Sequence, residues 1–314
     1  MLSLLSSCLV WSRFHTRSLP NRINYYIEDT FCTKVLSNFW EDRFLTFRAL
    51  TCDDVHLFVR NSFDSWQHNS YLSFYEISNI ENASLVINSD TITTKDVLGF
   101  ATSSTHNLDS ITIDEQDCWY RDNSFCYSLK KNQIIILVLF GVFWVLSTIG
   151  VIFVLLFPMK KIETTFRIVI WACFLAPPLI LWGSLLPCLQ CHNFEILMMH
   201  EIGHVLGLGH PEDEPNQCGC GNYTTCADLG DIKVMSSTIK NRPYACLSQD
   251  DVDGVKSIHG GSCSEDLKCY ETVDFSGFSR LFVALLYTFT LSWTIVTMRT
   301  CYHKYRQKNN DINM

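Results

Sequence analysis

The stretch HEIGHVLGLGH, residues 200–210, sets His200 and His204 four positions apart. On a helix that spacing stacks two imidazoles on one face, one turn apart, where they can share a single metal ion. Glu201 stands beside the first histidine, where a carboxylate can accept a proton from water that a zinc ion has acidified to a pKa of about 7. Gly207 lets the chain leave the helix through backbone geometry closed to most residues, and His210 returns three positions later as a third nitrogen ligand. A bare HExxH arises by chance in roughly one chain in a hundred of this size, and requiring Gly207 and His210 lowers that rate by about several hundredfold. Three protein ligands leave one position of the ion open, which is the arrangement of a catalytic rather than a structural zinc.

The sequence just upstream is strongly apolar. Residues 134–157 carry no charge and as a helix would be about 36 Å long, against a hydrocarbon core of roughly 30 Å. Residues 168–189 are similar, with Pro177, Pro178 and Gly183 as kinks that neighbouring groups can accommodate. Residues 281–298 form a third, shorter run. Three membrane spans are expected, the first two a hairpin and the third a C-terminal anchor. Lys160, Lys161 and Arg167 in the connector, and Arg299, Lys304, Arg306 and Lys308 in the tail, assign those segments to the cytosol, with Lys130 and Lys131 weakening the bias. Residues before 134 and from 190 to about 277 then share the extracellular or lumenal side.

Two signals not used in that assignment agree with it. Sequons at Asn82 and Asn222 fall in the outside segments, as do eleven of the 15 cysteines, which suits an oxidising compartment. Local pairs such as Cys118 with Cys126 and Cys263 with Cys269 are compatible with the spacing, although connectivity is not readable from sequence. A disulfide-braced loop suits residues 218–226 (CGCGNYTTC) better than the rival reading, a cysteine-based zinc site. Net charge −8 gives no case for nucleic acid as a partner. Residues 1–19 read as a weak or truncated signal segment, with mitochondrial targeting through Arg13, Arg17 and Arg22 the alternative.

HEIGHVLGLGH resembles the metzincin metalloendopeptidases, and more narrowly the matrixins. Met235, in Lys233-Val234-Met235-Ser236, is similar to the family's methionine turn, which floors the zinc histidines. Residues 246–260 resemble the last catalytic-domain helix, with Ser248 as N-cap and Asp250 and Asp251 in the first turn. Residues 23–27, LSFYEI (72–77) and SLVIN (84–88) read as strands, and residues 50–66 as a helix buried through Val55, Phe58, Val59, Phe63 and Trp66. Residues 96–102 resemble the strand that pairs with extended substrate, here through Gly99, Phe100, Ala101 and Thr102, and residues 111–120 resemble the strand after it. The resemblance maps calcium-binding carboxylates to Asp114 and Asp117. Phe100 and Thr112 stand where the family has histidines of a second zinc site, so one catalytic zinc is expected, with Ca2+ as an additional candidate. No cysteine switch precedes the first strand, and the acidic, cysteine-rich insertion between His210 and Met235 is longer than usual.

The resulting expectation is an α+β, matrixin-like zincin domain, a twisted mixed sheet plus active-site helix, interrupted by a transmembrane hairpin and followed by a C-terminal transmembrane helix. Its parts are residues 20–133 and 190–262 for the catalytic domain, 134–157 and 168–189 for the hairpin around connector 158–167, a stalk 263–280, span 281–298 and tail 299–314. Such a protein is expected to be a membrane-anchored zinc endopeptidase acting on protein or peptide substrates, with the lipid bilayer as its other partner. The alternatives are an intramembrane zinc protease, whose histidines normally lie in an apolar helix with a distant aspartate, and a catalytically silent adhesion or receptor ectodomain. A translated intron would be a different origin for the hairpin and would leave a simpler anchored protease.

Overall fold

The computed structural model describes residues 21–40, 50–103, 108–121, 126, 189–210, 234–237 and 245–260, with isolated positions between 132 and 152 and between 286 and 305. The chain divides into two units, residues 1–127 with 190–274, and residues 128–189 with 275–314.

In the first unit, β1 (Arg22–Ile27) turns Ile23, Tyr25 and Ile27 inward at the period of two that a half-buried strand requires. A short helix α1 (Phe31–Leu36) follows, then α2 (Cys52–Gln67), opened by a capping box between Thr51 and Asp54. Along α2, Val55, Phe58, Val59, Phe63 and Trp66 are buried at helical spacing, the five positions expected from the sequence. Strands β2 (Ser73–Glu76), β3 (Leu85–Asp90), β4 (Gly99–Thr102) and β5 (Asp109–Asp114) complete a sheet of order β2-β1-β3-β5-β4. Its first four strands are parallel, with α2 making the crossover from β1 to β2, and β4 runs antiparallel along one edge.

Across the sheet lies α3 (Phe194–Val205), every residue of which is buried. A helix apolar on all sides must be enclosed, and α3 packs against α2, β4 and β5. The seam with α2 is fixed by Trp66, whose Nε1 donates to Met199 O at 3.0 Å, and by Asn61, whose amide donates to Glu195 at 3.1 Å. A last helix, α4 (Gln249–His259), begins at Ser248, which forms a capping box with Asp251.

The segment expected as one strand over 111–120 is two. After β5 the Asp114 carboxylate turns back to accept from Gln116 N at 2.9 Å, and this local turn breaks the strand before β6 (Trp119–Tyr120). β6 pairs in parallel with β7 (His192–Asn193), across the whole intervening segment. That pairing also excludes the Cys118–Cys126 pair that the spacing allowed. Cys118 is bonded to Cys191, because the β6–β7 pair sets their Cα atoms 4.4 Å apart, and Cys126 belongs to another disulfide. A second bridge, Cys32–Cys52, joins α1 to the start of α2. Cys263 and Cys269 lie outside the described residues.

In the second unit the described positions Ile134, Ile135, Val138, Val142, Val145, Ile149 and Ile152 are helical, and each is exposed. The three expected spans fall largely outside the described residues, and among the described residues no helix is long and apolar enough to cross a membrane. The signal segment 1–19, the insertion over 211–233 with Asn222, the connector, the stalk and most of the tail also lie outside them.

Candidate metal centre and cleft

Asn193 starts α3 by accepting Ile196 N on its side chain at 2.8 Å, which sets the phase of the helix and so the direction of His200 and His204. Past the helix end Gly207 adopts φ 95°, and this left-handed turn brings His210 back. The three Nε2 atoms converge, with separations of 3.0 Å (His200 to His204), 3.2 Å (His204 to His210) and 3.3 Å (His200 to His210). These are the only three or more His, Cys, Asp or Glu side chains so gathered among the described residues.

The residues fit a zinc ion. Tetrahedral Zn–N bonds of about 2.05 Å separate ligand nitrogens by about 3.3 Å. His200 Nδ1 donates to Val234 O and His204 Nδ1 to Leu208 O, both at 2.7 Å, so each imidazole keeps its Nε2 lone pair for the common point. Lone pairs held this close repel one another unless a cation lies between them.

Glu201 is 3% exposed, and its Oε2 has no hydrogen-bond partner. Burial pushes its carboxyl up to about 8, with the Ala101 backbone N–H pulling the other way. That N–H belongs to β4, the strand that passes directly over the helix. A β-carbon at Gly99 would lie 3.1 Å from Thr112 O and 3.4 Å from Glu201 Oε1, so β4 can come this near only with a small residue there. The cleft is walled on one side by the loop 92–98 and β4, and on the other by Leu197, the three histidines and Glu201.

Met235 is fully buried and packed against Gly203 on α3. Its turn is tied down by Asp251, whose carboxylate accepts Val234 N at 2.9 Å, Met235 N at 3.2 Å, and both Ser248 N and Oγ. Through the Val234 carbonyl this anchorage reaches His200. The sequence places Asp251 only in the first turn of the last helix. The Ser248-x-x-Asp251 box was its visible signal, and the tie to the methionine turn had none.

These features reproduce a known arrangement, and comparison with protein families finds the matrixin family model over residues 43–217, from the approach to α2 through the third histidine. The chain belongs to the matrixin family. No curated protein matches it. Matrixins are zinc metalloproteases, and His200, His204 and His210 form a cluster that could hold a metal ion. Phe100 and Thr112 are direct partners across β4 and β5 in this matrixin. Asp114 and Asp117 both line the cleft. Asp117 is raised by burial and then by the charge of Asp114 beside it. His192, not singled out in the sequence, also lines the cleft, from the first residue of β7.

Proposed function

We propose that this matrixin is a membrane-anchored zinc endopeptidase whose catalytic unit faces the outside of the cell or a lumen. The observation that carries the enzymatic part is the convergence of three Nε2 atoms beside a buried carboxylate with one free oxygen. A bound zinc ion supplies Lewis acidity there, acidifying water and polarising a carbonyl.

His200, His204 and His210 would hold the ion. Glu201 takes a proton from the attacking water on its carboxylate and returns it to the amine of the leaving fragment. The Ala101 N–H orients that carboxylate. β4, at the edge of the sheet, offers backbone groups of Gly99, Phe100, Ala101 and Thr102 to an extended peptide, which adds as a further strand. Asp114 and Asp117, close enough for the charge of one to raise the other, would be the ligands offered to a calcium ion.

Anchoring draws on the uncharged lengths of residues 134–157 and 168–189, on the flanking cations, and on the row of exposed Ile and Val side chains from 134 to 152. Asn82, exposed at the end of a turn (Ile80–Asn82), suits glycosylation on the same side as the cleft. The test is cleavage of a broad-specificity quenched peptide by detergent-purified full chain, wild type against Glu201→Ala, with zinc quantified in both. Cleavage by wild type alone, with equal zinc, is the expected result. Folded wild type without zinc would sink the reading.

A further inference from the structure

The end of the second apolar segment lies very close in sequence to the cleft. Only Gln190 separates Leu189, the last residue of that segment, from Cys191. Cys191 is locked to Cys118, and the next residue, His192, pairs with Trp119 and lines the cleft. Because the disulfide pins Cys191, this tether cannot lengthen by peeling β7 away. Leu189 to His192 spans at most about 10 Å of extended chain. The outgoing tether, from Arg121 to Ile134, could reach about 45 Å, so the shorter one governs.

From this we infer that the enzyme's substrates are membrane-anchored proteins, cut within about ten residues of their own membrane segment. The inference rests on the anchoring proposed above. If residues 168–189 end at the bilayer surface, the chain tethers the cleft-lining His192 within about 10 Å of that end. A substrate strand adding to β4 then comes from chain at the same height. Sharing one membrane further raises the local concentration of such substrates, whereas sites on long stalks stand out of reach.

The experiment uses the full chain, zinc-loaded, in phosphatidylcholine vesicles. The probe is a single-span protein carrying one cleavable sequence, either about 5 residues from the bilayer or beyond a stiff proline-rich spacer of about 40 residues, some 120 Å. The same sequence as a soluble peptide is assayed alongside. The near site is expected to be cut about tenfold faster than the far one in the same vesicles. Inserting about 20 Gly and Ser residues between Leu189 and Gln190 should shrink that ratio while leaving soluble-peptide cleavage unchanged. Equal rates at near and far sites, from an anchored enzyme that cuts the soluble peptide, overturn the inference alone. If alkaline carbonate strips the enzyme from the vesicles, the anchoring fails and the inference falls with it. No cleavage of the soluble peptide by zinc-loaded enzyme overturns the protease reading, and the inference again falls.

Discussion

Met235 fills the space that a β-carbon on Gly203 would need, so the methionine turn and the zinc helix touch at the one residue type small enough to allow it. Trp66 closes the same point from the α2 side, with Cζ2 3.2 Å from that position. Gly203→Ala is therefore expected to destabilise the protein by about 1–3 kcal/mol, despite alanine's better helix propensity. Met235→Leu, close in volume, should cost less than about 1.5 kcal/mol. Chemical denaturation of both variants checks the contrast, and a neutral Gly203→Ala would show that Met235 simply moves aside.

Asp251→Asn removes the charge that four donors share and turns an NH2 group toward backbone N–H groups. The loss of stability should be about 2–4 kcal/mol. Because the Val234 carbonyl holds His200, zinc affinity should also fall about tenfold or more. Competition with a chromogenic chelator measures this, and unchanged affinity in a folded variant would separate the turn from the metal centre.

Glu201 keeps its proton in the folded, metal-free protein up to about pH 8, whereas in the unfolded chain it ionises near 4.5. Between those values the folded state binds more protons, so metal-free stability falls as pH rises, by up to about 1.4 kcal/mol per pH unit. Thermal melts of chelator-treated wild type from about pH 5 to pH 8 should therefore decline more steeply than those of Glu201→Gln. Parallel curves for the two proteins would refute the assignment.

Cys118 and Cys191 close a loop with a sequence separation of 73, for which chain entropy gives a stabilisation of about 4 kcal/mol. The double variant Cys118→Ser with Cys191→Ser should lose stability up to that amount. Its zinc binding should weaken too, because β7 leads directly into α3. Denaturant midpoints for the double variant against oxidised wild type test this, and a shift near zero would mean that the β6–β7 pairing alone holds the two halves together.

The metal centre was the most legible part of the chain because its chemistry is local. His200, Glu201, His204, Gly207 and His210 lie within one helix and one turn, and each constraint has a residue type that meets it. The buried stripe of α2 was readable for the same reason, since amphipathic spacing is written in consecutive residues. Contacts formed at long range were not. Cys118 finds Cys191 only through pairing of two-residue strands from distant segments, and two residues carry no periodicity. The break after Asp114 hid in the other direction, since an isoleucine-rich run reads as a single strand until a side chain turns back on its own backbone. Asp251 declared its cap and concealed its second task, because the turn it anchors arrives from elsewhere in the chain.

The division of the catalytic unit also has a consequence in time. α2 and the sheet are synthesised before Arg121, while the helix that covers them begins at Phe194. At about 5–20 residues per second, the roughly 70 residues between Arg121 and Gln190 occupy the ribosome for about 4–14 s. Throughout that interval α2, β4 and β5 lack the helix that packs against them in the finished protein. The nascent amino-terminal half is thus the most aggregation-prone stage in this chain's life, and the one at which a chaperone has most to do.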